Sequence, residues 1–240
     1  YSYPTVFAGH PVAEHVVARG PNDDLLLFWD LAGESGWSVV NISASTGKKV
    51  KGTPVAWVDY LGDYATCDHI VAVGTDKHLL HFSWTAADGW KVEDLTALLT
   101  GPAMAGPVAV WESAGQPPVE TINLAAVDEN GHVLHFWRTL NNADWLMTDV
   151  SVMTHQIVAG PVAGYGSHAD LGLPEWYDHI VAARPDSHLL VFTQVFGTQQ
   201  WQAVDVSAIT SDVAQGPFAC WSPTFLEAYA YPSGIAGVKW

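Results

Sequence analysis

The segment DHIVAVGTDKHLLHFSW at residues 68–84 returns as DHIVAARPDSHLLVF at residues 178–192. Looser copies begin at Glu14 (EHVVARGPNDDLLLFW) and Ile122 (INLAAVDENGHVLHFW), and a degraded copy, LEAYAYPSGIAGVKW, ends at residue 240. The equivalent positions, spaced 54, 54, 56 and 48 residues apart, are His15, His69, Asn123, His179 and Glu227. Self-similarity at such a period is typical of repeat architectures, in which each unit is one supersecondary structure. The sequence therefore predicts five related units.

Two further marks flank each copy. Before it stands a proline followed by small or branched residues: Pro4-Thr-Val, Pro54-Val-Ala, Pro107-Val-Ala, Pro161-Val-Ala and Pro217-Phe-Ala. After it stands a tryptophan followed by an acid or amide: Trp37…Asn41-Ile-Ser, Trp90…Asp94-Leu-Thr, Trp145…Asp149-Val-Ser and Trp201…Asp205-Val-Ser. The marks keep their order in the units that carry them, so they help to set the unit boundaries.

Each unit has the pattern of four short strands. In the second unit these are PVAWVDY, DHIVAVG, HLLHFSW and WKVEDLT, which are rich in β-branched and aromatic residues and are separated by turn residues. No segment sustains a helical period with caps. The prediction is an all-β fold, a β-propeller of about five blades with four antiparallel strands each. It forms a single domain over residues 1–240, with approximate units 1–50, 51–104, 105–158, 159–214 and 215–240.

The recurring residues suit that geometry. Crowding near the axis favours small side chains on the inner strands, at Ala56, Ala109, Ala163 and Ala219. A proline is tolerated at the start of an edge strand, because it has no ladder partner to lose there. The recurrent tryptophans of the outer strands are predicted to pack between neighbouring blades: Trp37, Trp90, Trp145 and Trp201.

The last unit stops where its outer strand should begin, at Trp240. We expect a three-stranded last blade, with two alternatives: the chain is a piece of a larger ring, or another chain completes the blade. An open strand edge invites pairing with a second copy, so a homodimer through this blade remains an open prediction.

Composition and charge exclude several classes of partner. The net charge of −16 repels phosphate backbones and anionic lipid surfaces, so neither nucleic acid nor membrane insertion is expected. Two cysteines, Cys67 and Cys220, do not suggest a disulfide-stapled scaffold. The chain opens at Tyr1 without a charged and then apolar leader, so we expect any signal peptide or initiator to be gone. The localisation stays unknown, since a secreted and a cytoplasmic protein both fit.

Aromatic residues that break the repeat are the first candidates for ligand binding. Trp111, Tyr165 and Trp221 follow the inner-strand prolines at one spacing, where the first two units have Ala8 and Val58, with Trp57 one place earlier. Flat rings stack on the apolar face of a sugar, and Glu112, Ser222 or His168 nearby could orient its hydroxyls. The structural alternative is packing between blades. His69, Asn123 and His179 are further ligand candidates, although a strand entry also favours polar residues.

The other polar motifs have structural explanations. Neighbouring residues on a strand point to opposite faces, so the acid–histidine pairs at Glu14, Asp68 and Asp178 cannot easily bond internally. The same parity separates the two rings of His78-x-x-His81 and of His132-x-x-His135, so no metal site is predicted. Asp76-x-His78, Asn130-x-His132, Asp186-x-His188 and Asn22-x-Asp24 bracket hairpins. There an Asx side chain caps its own turn, or the set lines a sugar-binding groove.

At the level of the whole chain, the five Trp-rich units resemble the β-propeller lectins, especially the five-bladed tachylectin type. The resemblance implies a noncatalytic carbohydrate-binding protein with one shallow site per blade or cleft and no cofactor. Identity between units two and four favours two or three working sites, which would add avidity. The alternatives are a protein-interaction scaffold and an enzyme with one pocket. The enzyme would be a glycoside hydrolase using Asp59 and Glu112, or a catalyst of histidine acid–base chemistry on a hydrophobic small molecule.

Overall fold

The computed structural model describes residues 13–31, 36–61, 65–114, 120–139, 144–168, 176–195 and 198–214. These residues form four separate antiparallel sheets, each made of strands consecutive in sequence. The sheets contact one another in chain order and are the blades of a β-propeller, which confirms the predicted fold class. The predicted last unit, 215–240, lies outside the described residues, so its strand count and the dimer edge stay predictions.

The blade boundaries are as follows. Blade 1 contains β1 (Ala13–Arg19), β2 (Leu25–Leu31), β3 (Ser38–Asn41) and the helix α1 (Ile42–Thr46). Blade 2 contains β4 (Val55–Leu61), β5 (Ala65–Val73), β6 (Leu79–Thr85), β7 (Gly89–Asp94) and α2 (Leu95–Leu98). Blade 3 contains β8 (Ala109–Ala114), β9 (Glu120–Val127), β10 (Val133–Thr139), β11 (Leu146–Asp149) and α3 (Val150–Thr154). Blade 4 contains β12 (Val162–His168), β13 (Trp176–Ala183), β14 (Leu189–Val195), β15 (Trp201–Asp205) and α4 (Val206–Thr210).

The short helices correct the expectation that the chain has no capped helix. In each blade the acid or amide of the third sequence mark ends the outer strand and caps the helix that follows: Asn41, Asp94, Asp149 and Asp205. Each cap side chain accepts a hydrogen bond from the backbone N–H three residues on, which compensates one of the unpaired donors of a helix start. One turn is too short to show a hydrophobic period, so the pattern resembled the end of a strand.

A second side chain fastens every helix to its own blade. The hydroxyl two residues after the cap accepts the backbone N–H at the start of the strand next to the outer strand, for example Val133 N–H to Ser151 Oγ at 2.9 Å. The same bond recurs at Ser43, Thr96 and Ser207. In the repeated Asp-Leu-Thr and Asp-Val-Ser motifs the aspartate is therefore the helix cap, and the Thr or Ser hydroxyl binds the helix to the adjacent strand. We call this second hydrogen bond the latch.

Backbone bonds join one blade to the next. The N–H of the linker after each helix donates to the hairpin of the blade just completed, as in Met104 to Lys77 O at 2.8 Å. The N–H of the following residue donates to the next blade, as in Ala105 to Val127 O at 2.8 Å. The accepting hairpin residues all have positive φ: Asp23, Lys77, Gly131 and Ser187. The Gly, Asn and Asp residues of these hairpins therefore form the predicted tight turns, and the turns also bind the linkers.

Among the described residues the hydrophobic core forms three clusters, and each lies between two neighbouring blades. Leu25 and Leu27 of blade 1 pack against Ile70, Leu80 and Phe82 of blade 2. The cluster between blades 2 and 3 is built around Trp57, Leu124, Phe136 and Trp145, and that between blades 3 and 4 around Trp111, Ile180, Phe192 and Trp201. Burial of about 25 cal/mol per Å² of apolar surface at these seams holds the blades together.

The outer-strand tryptophans follow the prediction in three blades. Trp145 and Trp201 are buried in the seams, and Trp90 packs beside the cluster of blades 1 and 2. Trp37 is 52% exposed. No helix of the described residues has the length and apolar character needed to cross a membrane.

Candidate functional site

The strand register corrects the alignment of the aromatic positions. Trp57 pairs with His69, Trp111 with Asn123 and Tyr165 with His179. Trp57, not Val58, is thus the blade 2 equivalent of Trp111 and Tyr165. The inner strand of blade 2 reaches this level one residue sooner after its proline than those of blades 3 and 4, which sequence spacing alone did not show. Trp221 lies outside the described residues.

In blade 2 this position begins a cluster of three nearly parallel rings. Trp57 lies against both imidazoles, with its ring centroid 4.9 Å from that of His69 and 5.6 Å from that of His81, at interplanar angles of 11° and 9°. The two imidazoles lie side by side, with centroids 5.0 Å apart and an interplanar angle of 15°. Trp145 of blade 3 approaches His81 edge-on at 5.4 Å and 74°. All four side chains are buried, so they form the floor of the seam between blades 2 and 3.

A directed chain of polar contacts crosses this floor. Arg138 Nη2 of blade 3 lies 3.4 Å from His69 Nε2, His69 Nδ1 lies 2.8 Å from His81 Nε2, and His81 Nδ1 lies 3.5 Å from Glu93 Oε2. A guanidinium can only donate and a carboxylate can only accept. His69 Nε2 is therefore the acceptor, and both histidines carry their proton on Nδ1.

The electrostatics agree with this assignment. Burial lowers the pKa of His81 to about 4, so its ring is neutral near pH 7. The hydrogen bond from His81 lowers the pKa of Glu93, and the nearby charge of Arg138 acts in the same direction. Arg138 also lies over the Trp145 ring, 5.1 Å from its centroid. We call the set Trp57, His69, His81, Glu93, Arg138 and Trp145 the Arg138–Glu93 cleft: a guanidinium and a carboxylate at the rim of an aromatic floor.

The seam between blades 3 and 4 uses the equivalent positions, but its hydrogen bonds run in the opposite direction. Trp111 stacks on His135 at 5.7 Å, and Trp201 meets His135 edge-on at 5.1 Å. His135 Nε2 donates to Asn123 Oδ1 at 2.9 Å, and Asn123 Nδ2 donates to Ser113 Oγ at 2.9 Å. The Ser113 hydroxyl and Trp111 Nε1 both donate to the Asp178 carboxylate.

Burial dominates this second network. It lowers the pKa of His135 to about 3, and it raises the pKa of Asp178 against the two hydrogen bonds that this carboxylate accepts. Trp111 is 7% exposed and Asn123 is 2% exposed. Their polar atoms and the Trp111 ring face therefore make contacts within the seam, which is packing between blades, the structural alternative to ligand binding at these positions.

Blade 4 presents a more open version. Tyr165 stacks on His179 at 4.5 Å and 19°, and both side chains are half-buried. Ser167 Oγ lies 2.7 Å from His179 Nε2, and Thr193 Oγ1 lies 3.0 Å from His179 Nδ1. Burial lowers the pKa of His179. The predicted fifth unit, 215–240, lies outside the described residues.

The seam between blades 1 and 2 contains a small void beside His15 and Asp68. His15 Nδ1 lies 3.9 Å from Asp68 Oδ2, and a cavity of about 10 Å³ is lined by these two residues, His69 and Trp90 among others. Burial raises the pKa of Asp68 in spite of the nearby His15. The void approaches the size of one water molecule.

The two polar residues of each hairpin motif have different structural roles. Asp76 and Asp186 accept the backbone N–H of His78 and His188, as Asx capping of the turn predicts, while in blade 3 Asp128 does so in place of Asn130. The imidazoles bond elsewhere: Nδ1 of His78, His132 and His188 lies 2.7–2.8 Å from the helix-capping aspartate of its own blade. His78 and His81 thus face different partners, and the described residues contain no His, Cys, Asp and Glu cluster that could hold a metal.

The register also separates the two carboxylates of the enzyme alternative. Asp59 is paired with Cys67 and lies level with Ser113 and Ser167, while Glu112 is level with Val58. They are not equivalent positions, which corrects the placement made from proline spacing. Their role in catalysis stays a prediction, as does that of His168 and Ser222 in orienting hydroxyls.

Sequence reasoning missed Arg138 and Glu93. At the level of Arg138 the other described blades have Asp30, Trp84 and Gln194, and at the level of Glu93 they have Val40, Thr148 and Val204. Arg138 and Glu93 differ in charge from the residues at the equivalent positions, and they belong to different units. The contact between blades 2 and 3 brings both to the same pair of histidines, and the strand register shows which positions are equivalent.

No protein-family model and no curated protein matches the chain. Among solved structures, the chain is similar to a mutant of the Aleuria aurantia lectin in complex with alpha-methyl-L-fucoside, with a TM-score of 0.54 and 12% identity over 82% of this chain and 59% of that one. It is also similar to a mutant of AofleA from Arthrobotrys oligospora, with a TM-score of 0.50 and 13% identity over 84% of this chain and 55% of that one. The chain thus spans somewhat more than half the length of these two proteins, and the likeness is one of fold.

Proposed function

We propose that the protein binds carbohydrate without catalysis and that the Arg138–Glu93 cleft is its principal site. The observation that carries the proposal is the placement of Arg138 and Glu93, from adjacent blades, at the two ends of the polar chain through His69 and His81, beside the Trp57 and Trp145 rings. One of the two similar propellers is a lectin in complex with a methyl fucoside, which supports this class of ligand.

The cleft has the chemistry that sugar recognition requires. A guanidinium donates hydrogen bonds in a fixed fork and a carboxylate accepts them, so each of the two groups suits a sugar hydroxyl. The aromatic floor beneath them suits the apolar C–H face of the sugar. Glu93 is exposed and Arg138 is half-buried, so both reach the rim while the histidines below hold them in place.

A second, weaker site is proposed at Tyr165 and His179. This pair is half-buried, and the hydroxyls of Ser167 and Thr193 line it. The predicted Trp221 belongs to the blade that would face it. Two unequal sites fit the divergence between units better than five equal ones, and linking even two millimolar sites raises the avidity for a multivalent glycan.

The test is a glycan array followed by calorimetry on a hit, with Arg138→Gln and Glu93→Thr. These variants place in the cleft the residues found at the equivalent positions Gln194 and Thr148. We expect each to weaken binding at least tenfold, about 1.4 kcal/mol, because a charge-assisted hydrogen bond is lost. The matched control is Arg184→Gln, since Arg184 is paired with Asp186 and Asp205 far from the cleft.

Two results would contradict the proposal. One is an array without a saturable hit. The other is a hit whose affinity responds equally to Arg138→Gln and Arg184→Gln, which would place the sugar outside this cleft. A stoichiometry above one per chain that falls in Tyr165→Ala would support the second site, and a stoichiometry of one unchanged in that variant would remove it.

A further inference from the structure

A cavity of about 690 Å³ opens on the face of the propeller that carries the hairpins and short helices. It lies where the linkers 51–54 and 104–107 pass between blades 1, 2 and 3, and we call it the linker cavity. Its volume falls within the range of small-molecule sites. The residues of the Arg138–Glu93 cleft do not line it, so it is a separate feature of the molecule.

The lining of the linker cavity is amphipathic. Its apolar part comes from Val17, Val73 and Met104, and Met104 is 2% exposed. Its charged part comes from Arg19, Lys51, Lys77 and Glu129. Three cations against one carboxylate give the cavity an excess of positive charge, although the whole chain carries only 9 Lys and Arg against 25 Asp and Glu.

The cations around the cavity differ in whether a carboxylate is paired with them. The neighbouring ones are each paired with a carboxylate: Arg19 with Asp23, Lys48 with Asp76, Lys49 with Asp24 and Lys77 with Glu129. Within the described residues Lys51 has no such partner. Arg19 Nη1 donates to the Lys51 carbonyl at 2.6 Å, which fixes the backbone at this position. Lys51 thus brings an ammonium without a paired carboxylate among the described residues to the lining of an amphipathic cavity.

We propose that the linker cavity binds an amphipathic organic anion, with an apolar body against Val17, Val73 and Met104 and an acidic group on Lys51. The acidic group is a carboxylate, sulfate or phosphate ester. The acidic surface elsewhere does not prevent this, because at physiological salt charges more than about 8 Å away are largely screened. This site goes beyond the carbohydrate-binding proposal and does not depend on it.

The test uses two fluorescent probes of similar shape. Anilinonaphthalene sulfonate carries the anionic group, and N-phenyl-1-naphthylamine lacks it. We expect saturable binding of the sulfonate, about tenfold weaker in Lys51→Glu, with binding of the neutral probe little changed. Lys91→Glu is the matched control, because Lys91 is exposed and paired with Asp88 away from the cavity.

Methionine methyl NMR locates the probe. The chain has three methionines, and of these Met104 lines the cavity while Met153 is exposed on α3. The sulfonate is expected to shift the Met104 methyl signal and to leave the Met153 signal in place. Ala105→Trp should fill the cavity and abolish the shift, with circular dichroism showing that the fold is kept.

Three results would overturn the proposal: no saturable sulfonate binding, equal loss in Lys51→Glu and Lys91→Glu, or a bound probe that leaves Met104 unshifted. The two proposals can be tested independently, because Arg138→Gln leaves the lining of the linker cavity intact and Lys51→Glu leaves the Arg138–Glu93 cleft intact.

Discussion

His69 Nδ1 and His81 Nε2 lie 2.8 Å apart in the buried seam between blades 2 and 3. The contact can be a hydrogen bond only if one of these nitrogens is protonated and the other is not. The two residues that flank the histidines decide which nitrogen is protonated, because Arg138 must donate to His69 and Glu93 must accept from His81. In the next seam His135 faces the amide oxygen of Asn123 instead, so its proton is on Nε2.

The first prediction is this pattern of tautomers. Long-range proton–nitrogen NMR near pH 7 should find His69 and His81 protonated on Nδ1 and His135 protonated on Nε2. A purely steric stack of rings would impose no such order. A proton on Nε2 of His69 would contradict the directed chain and with it the idea that the two histidines orient Arg138 and Glu93.

The second prediction concerns acid stability. An unfolded histidine has a pKa near 6.5, whereas burial lowers the pKa of His81 to about 4 and that of His135 to about 3 in the folded protein. The unfolded state therefore binds more protons in between, and the free energy of unfolding falls as the pH drops from 6.5 towards 4. Each histidine should contribute a loss of about 2 kcal/mol by about pH 5.

Urea unfolding near pH 7 and near pH 5 measures the effect. His135→Val, which introduces the residue found at the equivalent position Val191, should reduce the loss on acidification, whatever its effect on stability at pH 7. The control is His155→Asn at an exposed left-handed position, where the pH dependence should stay that of the unchanged protein. An unaltered slope in His135→Val would show that His135 is not buried in its neutral form.

How far the sequence determines the result varies with the range of the interaction. Hairpin turns and the seam tryptophans Trp145 and Trp201 were predictable, because turn chemistry is local and every blade needs a residue to fill its seam. The helices were not, since a single turn has no period. The convergence of Arg138 and Glu93 on one pair of histidines was not predictable either, because it depends on which blades touch.

The third prediction concerns the latch between helix and blade. Ser151→Ala leaves the buried Val133 N–H without its acceptor, so we expect a loss of about 1–3 kcal/mol in the free energy of unfolding. Ser45→Ala is the control, because that exposed hydroxyl only donates to a carbonyl within its own helix. Denaturant unfolding compares the two variants. Equal and small losses would mean that the helices are attached chiefly by their caps and apolar contacts.

The last prediction concerns the close approach of two inner strands. A Cβ added at Gly164 of β12 would overlap the six-membered ring of Trp111 on β8. The ring cannot easily move away, because its Nε1 donates to Asp178 at 2.9 Å and the side chain is buried. Gly164→Ala should therefore lower the free energy of unfolding by about 1–3 kcal/mol, the usual cost of overpacking.

Gly106→Ala is the matched control for this substitution. A Cβ there would meet only the carbonyl of Gly160 at 3.8 Å, an ordinary contact, and Gly106 does not have a positive φ. Its effect should be neutral or stabilising by up to about 1 kcal/mol, because alanine restricts the unfolded chain. If thermal unfolding shows the same change in both variants, blades 3 and 4 are not packed through Trp111, and the Asp178 network loses its anchor.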